Sequence, residues 1–258
     1  GLGDVYKRQL PAIPALPFCV GTKSRRFSTR WATLFIVRAD AFILTPAMIG
    51  RTEFQNVSGT RCATDFVELP SILMEHFLTD PHVVALTTRH YQTGAPLPYA
   101  QLEAHLDSQR RLEALDAHQQ IFLASLDQCY HSEQAGAVEF NSSAALSALQ
   151  KQIGLFPPVD DPTWQGQFGH LFGYGATYYS YLFDRAIAAR VWSRVFAAAP
   201  LSREAGERFK NQVLRHGGGK NPWTMLATLL GDEEIAHGDR CAMEIIGRWG
   251  FGHTIPRE

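Results

Sequence analysis

Two acidic residues in the first third of the chain have a spacing that could do chemistry. Asp65 and Glu68 stand three residues apart, so on a helix their side chains would share one face. Glu68 lies between Val67 and Leu69, which sets a carboxylate among apolar neighbours. Burying an ionised carboxylate is costly unless a cation, a metal ion or hydrogen bonds compensate for it. The pattern therefore fits either a buried metal-binding acid or an ordinary capping or solvated acid.

A second candidate stretch combines glycines with imidazole and phenol side chains. Four glycines fall within residues 166–175, a density that disfavours a helix interior and permits a closely approached loop. Their spacing matches neither the dinucleotide fingerprint nor the phosphate-binding loop. Tyr178 and Tyr181 follow, and they would point the same way from a helix that begins here. From spacing alone they suit aromatic core packing and ligand binding equally.

Helices must position these side chains, because hydrophobic residues recur at three- and four-residue steps along most of the chain. Thr64 or Asp65 can cap the first helix, and Asn141 or Ser142 and then Ser202 can cap later ones. An apolar stripe runs along the longest pattern and includes leucines 112 and 115. The sequence predicts an all-α fold, with helices over residues 65–92 (broken at Pro81), 99–131, 142–153, 182–199, 202–217 and 222–230.

The composition excludes several classes of function. The chain has 258 residues, of which 45% are hydrophobic and 19% charged, as expected for a soluble protein with a core. Its net charge of -1 gives no whole-chain electrostatic case for binding nucleic acid or an anionic membrane. The four cysteines show no Cys-x-x-Cys spacing and are interpreted as free thiols. We expect a monomer that binds neither nucleic acid nor membrane.

Residues 50–77 resemble the segment that follows the zinc motif in the thimet oligopeptidase family of zinc metallopeptidases. The resemblance runs from about Met48 to near the C-terminus and includes the Gly-rich loop with the tyrosines after it. It implies that residues 48–258 are the C-terminal part of a large helical catalytic domain. It also implies that Glu68, in the run Asp-Phe-Val-Glu, is the third zinc ligand.

The same resemblance assigns roles to the Gly-rich loop and the helix after it. The family carries a loop with His and Tyr, then Tyr-Tyr-x-Tyr, facing the zinc across a channel. His170, Tyr178 and Tyr181 would then be catalytic donors. Together with Gly169 and Tyr174, they would also bind the substrate, a peptide or a precursor protein.

The resemblance further implies where the protein acts. Residues 200–210 are more similar to the mitochondrial members of the family than to the cytosolic ones. Those members remove a short N-terminal peptide from imported precursors in the mitochondrial matrix. The alternatives are a general oligopeptidase of the same family, which degrades short peptides, and a non-catalytic helical binding module.

The sequence departs from the family pattern where the first two zinc ligands should stand. They come from a His-Glu-x-x-His helix about 25 residues before the glutamate ligand, which here corresponds to Ala39 and Ile43. No His-Glu-x-x-His occurs anywhere in the chain. We therefore expect this chain alone neither to hold stoichiometric zinc nor to cut peptides. Residues 1–47 lack helical periodicity and the resemblance, and are expected to be disordered or artefactual.

Overall fold

Helices make up nearly all the regular structure in the computed structural model. It describes residues 49–90, 93–158, 160 and 162–250, and these contain one isolated pairing of Arg89 with Pro96 and no strand. The predicted all-α fold is thereby confirmed for the described residues. The α-helices, numbered in chain order, are α1 Leu69–Thr79, α2 Pro81–Thr87, α3 Tyr99–Tyr130, α4 Ser142–Ile153, α5 His170–Gly173, α6 Ser180–Val191, α7 Arg203–Gln212, α8 Pro222–Leu230 and α9 Arg240–Trp249.

Several helix boundaries follow directly from local chemistry. Asp80, Asn141 and Ser202 each accept a hydrogen bond from a backbone N–H in the first turn of α2, α4 and α7. Gly231 ends α8 with a left-handed φ of 68°, which glycine adopts without steric cost. These caps agree with the helix starts and stops predicted from the sequence.

The predicted start of the first helix is wrong. The chain between Ala63 and Glu68 forms turns, in which the Phe66 and Leu69 amides donate to carbonyls three residues back, and α1 begins only at Leu69. Asp65 caps nothing there, since its side chain accepts a hydrogen bond from the distant Tyr179 hydroxyl instead. The Asp65 carboxylate therefore makes a tertiary hydrogen bond instead of capping a helix.

Two later helices are shorter than predicted. After α6 the chain continues as a π-helical turn, Trp192–Phe196, in which the hydrogen-bond spacing widens. Helix α7 ends at Gln212, and a short 3₁₀ turn, Leu214–His216, fills the space before Gly217. The predicted stop at Gly217 therefore marks the end of this irregular stretch and not of the helix.

The main hydrophobic core lies where α1 and α6 pack against each other and against α8 and α9. Its side chains are fully or almost fully buried and come from these four helices and the segments between them. The largest of those that are fully buried are Leu69, Leu73, Ile187, Val191, Met225, Leu226, Leu229, Ile235 and Ile246. This packing fixes the position of α1 relative to α6. Both α1 and α6 carry candidate site residues at their N-terminal ends.

The long helix α3 packs through separate patches. Leu102 and Leu106 pack near Val84, and further along α3 Phe122 and Leu126 pack on Leu146. Between these patches, the leucines at 112 and 115 are 61% and 53% exposed. The continuous apolar stripe predicted for this helix is therefore only partly buried within the described residues.

The remaining expectations concern the membrane and the N-terminal stretch. No helix in the described part is both long and apolar enough to span a bilayer. Residues 1–47, expected to be disordered or artefactual, lie outside the described residues.

Candidate active site

A cleft of about 450 Å³ opens between the turns that precede α1 and the segment that carries α5 and the start of α6. One wall carries a carboxylate and a thiol, and the opposite wall carries an imidazole and phenols. The lining residues are Thr60, Cys62, Thr64, Val67, Glu68, His170, Tyr174, Thr177, Ser180 and Tyr181. Four of the sequence-predicted site residues, distant in the chain, thus face a single cavity.

Glu68 stands at the N-terminal end of α1. The single proton of the Ser71 hydroxyl has two acceptors within reach, Oε2 of the Glu68 carboxylate at 2.7 Å and the Glu68 carbonyl oxygen at 2.8 Å. The pair fixes the rotamer of this acid. Glu68 is half-buried, lines the cleft and does not cap α1 through its side chain.

Two glycines, Gly217 and Gly218, pack closely against the backbone of the segment before Glu68. The Gly218 amide donates to the Val57 carbonyl at 2.8 Å. A Cβ at Gly217 would lie 2.4 Å from the same carbonyl oxygen, and one at Gly218 would lie 2.3 Å from the Arg61 carbonyl oxygen. Only glycine permits this close backbone approach. These glycines therefore help to place the loop that delivers Glu68.

His170 lies within a group of aromatic rings on the opposite wall. Its ring centroid is 5.2 Å from that of Tyr174, 4.8 Å from Tyr178 and 5.7 Å from Tyr181. The two rings of Tyr178 and Tyr181 meet edge to face at 5.1 Å. The Nδ1 atom of His170 is buried and has no hydrogen-bond partner among the described residues. The imidazole is thus oriented by ring packing.

Tyr178 and Tyr181 differ in where their hydroxyls point. Tyr181 is half-buried and lines the cleft. Tyr178 is buried, and its hydroxyl donates to the Gln120 side chain on α3 at 3.0 Å. Burial is the largest cause that raises the pKa of each phenol, and for Tyr181 the carboxylate of Glu68 is the next. Both therefore remain protonated hydrogen-bond donors at neutral pH.

A buried carboxylate on α3 anchors the Gly-rich loop. Asp127 is fully buried, and its two oxygens accept hydrogen bonds from the backbone N–H groups of Ala176 and Tyr178, at 3.0 and 2.9 Å. Ala176 has a positive φ of 62°, which is uncommon for a residue with a Cβ. Two hydrogen bonds to one carboxylate hold this backbone shape. Asp127 thereby sets the direction in which the chain runs through Tyr178 towards α6.

Two neighbouring residues, one on α3 and one directly after it, complete the anchor. The His131 imidazole lies 3.0 Å from Asp127 Oδ1, and the Gln128 side chain donates to the Ala176 carbonyl at 2.9 Å. A Cβ at Gly175 would lie 2.2 Å from Nε2 of His131, so the loop backbone is pressed against this ring. The Gly-rich loop is therefore fastened at its C-terminal end.

Three acids meet where α1 and α6 pack behind the cleft. Asp65 accepts a hydrogen bond of 2.7 Å from the Tyr179 hydroxyl, and burial together with this carboxylate raises the pKa of Tyr179 to about 12. Asp184, on α6, is fully buried, and neither of its oxygens has a hydrogen-bond partner among the described residues. Burial, then Glu68 and then Asp65, raise the pKa of Asp184 well above its usual value. The nearby Glu68 amide offsets part of that rise.

The thiol at the mouth of this acidic region is unreactive. Burial first, and the charge of Asp184 second, raise the pKa of Cys62 to about 11. A thiol with so high a pKa is almost entirely protonated at neutral pH. Cys62 is therefore not a nucleophile, in agreement with the absence of any cysteine-hydrolase signature around it.

The donors present match one side of a metal centre. A half-buried glutamate faces a wall of phenols and an imidazole, and catalytic zinc commonly takes one carboxylate with two histidines. No group of three His, Cys, Asp or Glu side chains within the described ranges could hold a metal ion. Among the described residues, the cleft thus offers one carboxylate that fits the position of such a ligand.

The predicted site residues are not all placed alike. Glu68, His170, Tyr174 and Tyr181 line the cleft, whereas Tyr178 supports the wall from behind. Gly169 is exposed and precedes α5 without lining the cleft. The sequence reasoning gave no role to Gln120, Asp127, His131, Tyr179 or Asp184. The partners of Gln120, Asp127 and Tyr179 lie tens of residues away in the chain, so no local pattern marks them.

Comparison with known proteins identifies the family of this chain. Residues 47–245 match peptidase family M3, so the chain belongs to that family. Among its relatives is the mitochondrial intermediate peptidase of Malassezia globosa, 73% identical over 212 residues, which covers 82% of this chain and 26% of the relative. The protein of the same name from Mycosarcoma maydis is 53% identical over 211 residues, covering 80% of this chain and 24% of the relative.

A third relative is matched over a longer stretch. Mitochondrial intermediate peptidase 2 of Cryptococcus neoformans var. neoformans serotype D (strain JEC21) is 48% identical over 264 residues, which cover 96% of this chain and 32% of the relative. This match also takes in part of residues 1–47. The chain spans about a quarter to a third of the length of these relatives.

Proposed function

We propose that residues 48–258 are the C-terminal part of the catalytic domain of a zinc metalloendopeptidase. The observation that supports this most is the cleft in which Glu68 faces His170, Tyr174 and Tyr181. Glu68 would be the carboxylate ligand of the zinc. Two histidines and a general-base glutamate, which this sequence lacks as a His-Glu-x-x-His run, would complete the site. A metal ion so held polarises the scissile carbonyl and activates a water molecule.

The residues of this chain supply the other half of the chemistry. Tyr181 and His170 would donate hydrogen bonds to the oxygen on which negative charge develops when the peptide bond is attacked. The raised pKa of Tyr181 suits this role, because the phenol stays protonated beside Glu68. Tyr178 could join these donors only by exchanging its bond to Gln120 for one to substrate. Tyr174 and the exposed backbone at Gly169 would bind the peptide at the mouth of the cleft.

The names of the relatives support a more specific form of the proposal. We propose that the whole protein acts in the mitochondrial matrix and removes a short N-terminal peptide from imported precursors, as a monomer. Peptide and precursor-protein substrates fit a cleft that is lined by hydrogen-bond donors and carries no strong positive charge. Cleavage of short peptides but not of full-length precursors would indicate a general oligopeptidase instead.

The test restores the missing ligands in a chimera, in which residues 49–250 of this chain replace the matching segment of the Malassezia globosa relative. We expect chelator-sensitive cleavage of a quenched fluorescent peptide. Tyr181→Phe should lower kcat by about 10²–10³-fold with zinc content unchanged, because one oxyanion donor is lost. Glu68→Gln should lose zinc, and Tyr99→Phe, at an exposed tyrosine on α3, should change neither.

Three results would contradict the proposal. One is full activity in the Tyr181→Phe chimera, and another is retained zinc in the Glu68→Gln chimera. The third is chelator-sensitive cleavage by the purified 258-residue chain alone, since that chain lacks the two histidine ligands. If the chain alone binds peptides without cutting them and the chimera is inactive, a non-catalytic binding module is the better interpretation.

A further inference from the structure

The most anomalous side chain of the described part is Asp184. It is fully buried on α6, and both of its carboxylate oxygens lack a hydrogen-bond partner among the described residues. Native structures satisfy the large majority of their buried polar atoms, and a buried carboxyl with neither oxygen satisfied is rare. An apolar side chain of similar volume would avoid this cost. The position is therefore occupied by an acid at the expense of the stability of this part of the protein.

No positively charged side chain in the described part of the chain compensates the Asp184 carboxylate. The neighbouring charged groups that affect it most are Glu68 and Asp65, and both are acids. Tyr179, which could donate from α6, already donates to Asp65. The nearest basic residue in sequence, Arg185, points to Asp116 on α3. Among the described residues these groups leave only the backbone N–H of Glu68 close enough to lower the pKa of Asp184, and it makes no hydrogen bond of normal geometry with either oxygen.

The position of Asp184 indicates what its missing partner is. It lies three residues after Tyr181 on α6, so the two share a face of that helix. Tyr181 lines the cleft, and Glu68 acts electrostatically on both residues. Asp184 is therefore buried on the cleft-facing side of α6, within electrostatic reach of the carboxylate that would bind zinc. A histidine that ligates a metal almost always donates its other ring N–H to a carboxylate, a backbone carbonyl or water.

We propose that Asp184 is a positioning residue of the metal centre, which accepts the free ring N–H of a zinc-ligating histidine. The inference rests on the proposed function, because that histidine belongs to the ligand pair that this sequence lacks. In the complete site the imidazole supplies the donor for Asp184, and the carboxylate fixes the tautomer and orientation of the ring. Asp184 would then be the carboxylate of a histidine–carboxylate pair.

The first arm of the test uses the 258-residue chain as it stands. Because neither oxygen of Asp184 has a hydrogen-bond partner among the described residues, Asp184→Leu should raise the Tm, by roughly 2–4 °C for each kcal/mol gained in a chain of this size. The matched control is Asp116→Leu, at a half-exposed aspartate paired with Arg185 at the surface, where no rise is expected. A fall in Tm with Asp184→Leu would show that the acid already has a stabilising partner within this chain, and would overturn the proposal.

The second arm measures zinc affinity in the chimera, by competition with a chelator. Asp184→Leu should weaken zinc binding about 10–100-fold. Asp184→Asn, which keeps a neutral acceptor, should fall between the wild type and the Leu variant. Asp116→Leu should bind zinc normally. Since the Leu variant is expected to be at least as stable without metal, a weaker affinity cannot be attributed to unfolding.

The outcomes separate this inference from the proposed function. Equal zinc affinity in the wild-type and Asp184→Leu chimeras overturns the role of Asp184 and leaves the peptidase proposal standing. A wild-type chimera that binds no zinc overturns the proposed function, and the role of Asp184 with it. Graded loss from Asp through Asn to Leu, with a raised Tm in the 258-residue chain, supports both.

Discussion

Replacement of Asp127 by Asn should loosen the Gly-rich loop more than any other single change of similar size. Both oxygens of this buried carboxylate accept backbone N–H groups, from Ala176 and Tyr178, and the His131 ring lies beside one of them. An amide keeps one acceptor and turns an NH₂ group towards the other N–H. The loop then keeps one hydrogen bond, now to a neutral acceptor, and loses the other, where a backbone N–H faces the amide NH₂.

The structure allows the size of this effect to be worked out. Each hydrogen bond to a charged group contributes about 1.5–3 kcal/mol, so the change should cost about 3 kcal/mol of unfolding free energy. For a chain of this size that corresponds to a fall in Tm of roughly 6–12 °C. Thermal unfolding followed by circular dichroism measures it, with Asp116→Asn, at the half-exposed partner of Arg185, as the control.

Amide hydrogen exchange locates the effect within the molecule. In Asp127→Asn the amides of Ala176 and Tyr178 should exchange much faster, whereas those of α8 should change only as much as global stability does. In the chimera the same variant should lower kcat, since His170 and Tyr181 lose a fixed wall. An unchanged Tm with unchanged exchange at these two amides would refute the assignment of Asp127 as the anchor of the loop.

Two further changes test neighbouring contacts. Gly175→Ala should lower the Tm measured by calorimetry, because the new Cβ would lie 2.2 Å from Nε2 of the His131 ring; an unchanged Tm would mean that the ring moves aside freely. Tyr179 stays protonated in the folded protein up to a pKa of about 12, against about 10 when unfolded, so its contribution to stability is complete below pH 10 and is lost as the pH rises towards 12. Tyr179→Phe should therefore weaken the alkaline fall in stability, measured by denaturant unfolding between pH 9 and pH 12, and an identical alkaline fall would contradict the Asp65 contact.

The sequence predicts best those features that depend on a few adjacent residues. The long helix α3, and the starts of α4 and α8, follow from hydrophobic periodicity and from caps such as Asn141 and Asn221. The predicted cap at Asp65 is wrong because its carboxylate binds Tyr179, more than a hundred residues away. Periodicity cannot reveal that a partner so distant in the chain will take the side chain.

The same distinction between local and long-range signals applies to the residues of the site. Glu68, His170 and Tyr181 came from a family motif, and the structure brings them to one cleft. Asp127 has no such signal, since an acid among the polar positions of a long helix is most often solvated. Only the path of the loop, which returns to α3 after about fifty residues, shows that two backbone amides need this carboxylate.

The acids of this fold differ in how they are satisfied, and the difference indicates what each one does. Asp127 is satisfied by the loop it anchors, and Asp65 by Tyr179, which ties the turns before α1 to the start of α6. Glu68 is held by Ser71 through one oxygen while it faces the cleft. Asp127 and Asp65 therefore each join two parts of the site wall, whereas Glu68 is held within its own turn. Asp184 lies among them, as deeply buried as Asp127 but without a hydrogen-bond partner in the described part of the chain, as expected if the part that it joins is the histidine-bearing segment absent from this sequence.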